Sequence, residues 1–135
     1  MKTFLDSNLK KIFNKNLLPA YIWLIVIFIV SSIPQLHITS REIRNMDTIA
    51  HFFEYFIFGL LFKIGLYKID KSRKYNIITV VIVSLFFAAL DEIHQIIVPG
   101  RTPSIFDFFA DFIGAGIASQ IYELYLRRKY GNKSY

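Results

Sequence analysis

Tyr21-Ile-Trp-Leu-Ile-Val-Ile-Phe-Ile-Val30 is apolar on every side of a helix. A surface helix of a soluble protein keeps one polar face for water, whereas a helix without such a face is buried in a large core or in lipid. The chain has 135 residues, is 54% hydrophobic, and contains four such apolar stretches, residues 17–33, 48–67, 77–98 and 105–126. Each has about the 17 to 25 residues that a bilayer-spanning helix needs. The expected fold class is all-α: a polytopic membrane protein with four transmembrane helices in a bundle, forming a single domain over residues 1–135.

Lysine and arginine orient that bundle. Lys2, Lys10, Lys11 and Lys15 precede the first stretch; Lys68, Lys71, Arg73 and Lys74 follow the second; Arg127, Arg128, Lys129 and Lys133 follow the fourth. The other two connections carry only Arg41, Arg44 and Arg101. Twelve cationic residues against three place both termini and the middle loop in the cytoplasm. The net charge of +6 is therefore a topology signal. Nucleic acid is not an expected partner, because the basic residues flank the spans instead of forming one stripe with interleaved aromatics. Lys63, near the inner end of the second stretch, is expected to snorkel to the cytoplasmic headgroups. Tyr21, Trp23, Tyr67, Tyr122 and Tyr125 lie toward the same interface, where an aromatic belt belongs.

Ser31-Ser-Ile-Pro-Gln35 has no small-x-small cleavage pattern, so the first stretch reads as an uncleaved span. The absence of cysteine excludes disulfides, thiolate chemistry and Cys-based zinc sites. Walker, dinucleotide, zincin and nucleophile-elbow motifs are lacking, and no internal repeat is visible. The longest connection, Pro34 to Asp47, carries turn formers and charges suited to covering the outer surface.

Ionisable groups inside spans are costly to keep and mark function. At 100° per residue, Asp47, His51, Glu54 and Phe58 share one face of the second helix. Ser84, Ala88, Asp91 and Gln95 align on the third, flanked by Glu92 and His94, and Ser104, Asp107, Asp111, Gly114 and Ala118 align on the fourth. Counted at 1.5 Å per residue, Glu54, Asp91 and Asp111 all lie roughly 9 to 10 Å below the outer helix ends. Three carboxylates at one depth point to a shared, outward-facing polar cavity, since lipid-facing acids are strongly disfavoured. Toward the cytoplasm the third and fourth stripes continue as small residues, which let helices approach closely.

Six acids there face at most Arg44, Arg101 and two histidines, so shared protons, a divalent cation or a cationic ligand must compensate them. His51-x-x-Glu54 and Asp91-x-x-His94 have the i, i+3 spacing of nitrogen and oxygen ligands, which makes His51, Glu54, Asp91 and His94 the metal candidates. Plainer roles compete: interhelical hydrogen bonding for His51 and Glu54, helix capping for Asp47, and packing for Asp107 and His94.

Asp47-x-x-x-His51-Phe52-x-x-Tyr55-x-x-x-Gly59, then Asp91-Glu92-x-x-Gln95-x-x-x-Pro99-Gly100-Arg101-x-x-Ser104-x-x-Asp107, then Asp111-x-x-Gly114-Ala115, resembles the VanZ-like family of small bacterial membrane proteins. The likeness runs from Ser31-Ser32-x-Pro34 to Gly116. Two positions depart from the family pattern, Thr48 where a lysine is frequent and Asp111 where asparagine is frequent. The resemblance implies a multi-pass protein of the bacterial cytoplasmic membrane, in a family whose founding member is associated with resistance to teicoplanin-type glycopeptides. It also gives Arg101, held by the Pro99-Gly100 turn, two alternative roles: a salt bridge to Asp107 or Glu92, or a contact to a ligand phosphate or carboxylate.

The leading functional expectation is an envelope factor whose acidic cavity binds an envelope lipid or lipophilic ligand, such as a lipid-linked precursor or a lipoglycopeptide. A membrane enzyme using metal or carboxylate and histidine chemistry on a lipid-linked cell-wall intermediate is the alternative. A small proton- or cation-coupled transporter comes last, because the polar stripes do not continue toward the cytoplasm.

Overall fold

The computed structural model describes residues 14–34, 41–69 and 73–131, with residues 41–45 and 73–76 described by their backbone. They form a 3₁₀ turn, Lys15–Leu17, followed by four helices: α1 (Leu18–Ser31), α2 (Arg41–Ile69), α3 (Arg73–Gln95) and α4 (Ile105–Tyr130). No strand occurs among the described residues.

The helix ends follow local chemistry. Asn14 accepts the backbone N–H of Asn16 at 3.0 Å, and a proline opens α1, where a missing N–H has no partner to lose. Helix α1 stops at Ser31, short of the expected 33, ahead of Pro34. Helix α2 starts at Arg41 instead of near residue 48, so the second half of the presumed Pro34 to Asp47 loop, residues 41–47, is helical. Residues 35–40, the side chain of Arg44 and the lysines at 2, 10, 11, 71 and 133 lie outside the described residues. Helix α3 ends at Gln95, and residues 96–98 leave it through i to i+3 turns, because Pro99 disfavours helical backbone before it. Ser104 is extended at the start of α4 and its Oγ accepts from the Asp107 N–H at 3.4 Å. The basic last turn, Arg127 to Lys129, carries α4 past residue 126 and suits the negative end of its dipole.

Side chains are distributed inside out relative to a protein in water. Ile25 and Ile29 on α1, Phe53 on α2, Ile82, Phe86 and Ile93 on α3, and Ile117, Ile121 and Leu124 on α4 are exposed. His51, Lys63, Asp91, Gln95, Asp107, Asp111 and Glu123 are buried. Segments Met46–Ile69 and Ile77–Gln95 are long and apolar enough to cross a bilayer, and Lys15–Ser31 is a shorter apolar helix. This is a membrane protein.

An aromatic core divides the buried polar groups. Phe58 stacks on Phe62 with ring centres 5.5 Å apart and meets Tyr55 and Phe87 edge-on, against Leu24, Ile27, Val80 and Ala88. The most extensive helix contact is between α2 and α4. A Cβ on Gly59 would stand 2.5 Å from the Ala115 Cα, and one on Gly114 would collide with the Phe52 carbonyl oxygen. Their polar contacts keep one sequence offset of 60, His51 to Asp111 and Lys63 to Glu123, so α2 and α4 run parallel. Ser31 on α1 meets Asp91 on α3 with the same offset.

Gly59→Val should force α2 from α4 and destabilise the bundle by about 1–3 kcal/mol, the usual cost of overpacking. Thermal unfolding of the purified protein in detergent checks this: an unchanged midpoint would mean that the backbones are not in contact.

Candidate functional site

Helix α2 turns His51, Tyr55 and Phe58 to the same inward face within an arc of roughly 60°, while Glu54 lies roughly 60° from His51 and roughly 100° from Tyr55. His51, Tyr55 and Phe58 are accordingly buried and Glu54 is half-buried. His51 Nδ1 donates to Asp111 Oδ1 at 3.0 Å, since a carboxylate oxygen only accepts, and stands 3.7 Å from Asp91 Oδ2. Helix α1 adds Ser31, whose hydroxyl donates to Asp91 Oδ2 at 3.0 Å. Gln95, one turn beyond Asp91, places its Nε2 3.3 Å from that same carboxylate oxygen and 3.3 Å from His51 Nε2. Four helices thus meet at one buried polar layer.

A second tier lies outward of it. Gly100, with φ of 81°, turns the chain so that Arg101 Nη1 donates to both oxygens of Asp47 at 2.7 and 2.8 Å. Asp47 is one helical turn, about 6 Å, outward of His51. Arg101 therefore makes an internal salt bridge, but to Asp47 and not to Asp107 or Glu92. Glu92 Oε2 instead accepts the Ser104 N–H at 2.6 Å at the start of α4, where helix N–H groups favour an anion. The Thr48 hydroxyl donates to Asp107 Oδ1.

Of the residues singled out by sequence, His51, Asp91, Gln95 and Asp111 come together, with Asp47, Arg101, Glu92, Ser104 and Asp107 paired around them. Glu54 does not join them; its backbone carbonyl accepts the Trp23 indole N–H at 2.8 Å. His94 also stays apart, its Nε2 lying 2.8 Å from the Ser32 hydroxyl. The groups of His and Asp side chains whose oxygen and nitrogen atoms lie within 4.8 Å of one another among the described residues include His51, Asp91 and Asp111 but neither Glu54 nor His94; i, i+3 spacing sets neighbours on one helix, whereas this grouping draws on three. Ser31 and Tyr55 were missed as members of the layer, and Thr48 as a member of the tier beyond it. Ser31 and Tyr55 stood inside the family-like pattern, which was their signal.

The sequence reading also fails at the inner end. Lys63 does not snorkel: it is fully buried, with Nζ 3.4 Å from Glu123 Oε2. Glu123 in turn accepts from Arg127 Nε at 3.2 Å. With buried Ser119 nearby on α4, polar groups do continue toward the Lys63 end of the bundle, contrary to the expectation that this end is purely small and apolar. The partner of Lys63 is sixty residues away, beyond the reach of any local pattern.

A sequence model of the family described as VanZ/LLP1 matches residues 3–126. The chain belongs to the VanZ/LLP1 family. No curated protein and no solved structure matches it. The VanZ/LLP1 match takes in α1, α2 and α3 whole and α4 to Leu126, and so includes both buried polar layers.

The inner layer yields a pairwise expectation. Lys63→Met alone should destabilise this VanZ/LLP1 protein by about 3 kcal/mol, as breaking a buried pair from one side does, and the double variant Lys63→Met/Glu123→Leu should recover much of that loss. Thermal or denaturant unfolding in detergent measures it. A double variant as unstable as Lys63→Met and Glu123→Leu added together would show that the pair is not coupled.

Proposed function

We propose that this chain is a four-span protein of the bacterial cytoplasmic membrane, with both termini in the cytoplasm, that holds the chain of a lipid-linked envelope precursor and lowers susceptibility to teicoplanin-type glycopeptides. One observation carries this reading: an apolar groove of about 600 Å³ between α1 and α3, lined by Tyr21, Leu24, Ile25, Phe28, Ile29 and Phe87, and ending at Ser32 and His94. The groove opens on the exposed apolar side of the bundle, where Ile25 and Ile29 point outward, so a lipid chain has lateral access. Its polar end offers a hydroxyl and an imidazole 2.8 Å apart, suited to a phosphate or carboxylate head. Ser32 and His94 adjoin Ser31 and Asp91, which links a bound head to the acidic layer.

Family membership and the positive-inside pattern support the topology. Helix α4 also fits as a span: its acids are buried against α2 while Ile113, Ile117, Ile121 and Leu124 face outward. A polar stripe lowers its average hydropathy without exposing charge to lipid.

Drug susceptibility of a Gram-positive host tests the proposal, with equal membrane levels of each form confirmed. The wild type should raise tolerance to teicoplanin and leave vancomycin unaffected. Ile29→Trp, which fills the groove, should remove about fourfold of that tolerance, the equivalent of under 1 kcal/mol of ligand affinity, and Asp91→Asn should remove it as well. Wild type and empty vector giving equal teicoplanin responses would refute the function; Ile29→Trp behaving as wild type would refute the groove.

A further inference from the structure

His51 on α2, Asp91 on α3 and Asp111 on α4 bring an imidazole nitrogen and two carboxylate oxygens within 4.8 Å of one another, and none of the three residues is more than 2% exposed. A second group within the same distance, Asp47, His51 and Asp107, is already committed: Asp47 to Arg101 and Asp107 to Thr48. Asp91 and Asp111 have no such cation. Arg101 is held one turn outward by Asp47, and Lys63 lies twelve residues down α2 from His51, roughly 18 Å away.

Unmet bonding capacity at this point is the independent sign of a ligand. Asp91 Oδ1 and Asp111 Oδ2 are buried without a hydrogen-bond partner among the described residues. Gln95, whose amide reaches into the cluster through Asp91 and His51, leaves its Oε1 in the same state, and so does the hydroxyl of Tyr55, one turn from His51 on the same face. Buried polar atoms are almost always paired, and four unpaired oxygens in one layer need an explanation. A protonated His51 would bring one positive charge to two carboxylates. A divalent cation would bring two, leaving a neutral centre in a low-dielectric interior.

We propose that His51, Asp91 and Asp111 form a binding site for a divalent first-row transition metal of the zinc or manganese class. One imidazole with carboxylate oxygens, and no thiolate, is the donor set such ions accept. Nδ1 of His51 is the ring ligand, displacing its proton, and Asp91 and Asp111 each give an oxygen. The Gln95 amide lies against the opposite nitrogen, Nε2; a half-turn of that amide offers Oε1 to the Nε2–H, the orienting contact usual behind a metal-bound histidine. Three protein ligands leave coordination positions open. Ser31 and Asp91 adjoin the polar end of the apolar groove, but the donor set does not depend on what the groove holds.

The test uses the full chain, purified in detergent without a polyhistidine tag, stripped with chelator and titrated with Zn²⁺, Mn²⁺ and, as a spectroscopic probe, Co²⁺. The wild type should retain about one metal per chain, with X-ray absorption showing one imidazole among oxygen ligands. Asp91→Asn/Asp111→Asn should weaken binding by about tenfold or more, whereas Glu54→Gln, outside the cluster, should bind as the wild type does. Gln95→Ala should shift the Co²⁺ spectrum and weaken binding while leaving the stoichiometry in place. No stoichiometric metal in the wild type, a metal shell without imidazole, or undiminished binding in the double Asp variant would each overturn the proposal. The first two readouts need no variant to fold.

Discussion

The close approach of α2 and α4 governs the rest of this bundle. Gly59 against Ala115 and Gly114 against the Phe52 carbonyl bring two parallel backbones together. Only at that separation can side chains as short as His51 and Asp111 meet at 3.0 Å. In a hydrocarbon surround there is no water to satisfy a polar group left unpaired, so each one has to find its partner inside the protein. Small residues in the middle of the helices and polar contacts near their ends are two parts of one solution.

From that contact follow two buried polar layers, spaced roughly 18 Å along α2 by the twelve residues from His51 to Lys63. Between them lies the aromatic core of Tyr55, Phe58 and Phe62. The layers differ in electrical character. The inner one sets Lys63 and Arg127 against Glu123, whereas the outer one gathers Asp91 and Asp111 around one histidine, beneath an Arg101 already bound to Asp47. An inner layer with its own cations serves packing and register. An outer layer short of positive charge is where the proposed cation would bind.

Much of the site was legible from helical phase. Ser84, Ala88, Asp91 and Gln95 were expected on one stripe and are all buried, as are Asp107, Asp111, Gly114 and Ala118. Glu54 shows the limit of helical phase. Its depth matched Asp91 and Asp111, but a turn of roughly 60° from His51 is enough to move a carboxylate off the inner face. A salt bridge to Asp107 or Glu92 was one of two roles expected for Arg101, yet the Pro99-Gly100 turn delivers it to Asp47 on α2 instead of to the helices on either side of it in the chain.

By itself the sequence determined an all-helical membrane protein, because continuous apolar faces have no stable alternative in water, and it determined which faces of α3 and α4 turn inward, because a charge facing lipid is too costly. The tertiary structure alone decided which charged groups share a layer. His51 with Asp111, Lys63 with Glu123 and Ser31 with Asp91 are each sixty residues apart. Helical periodicity carries information over a few turns, whereas those partners depend on the direction and register in which separate helices pack.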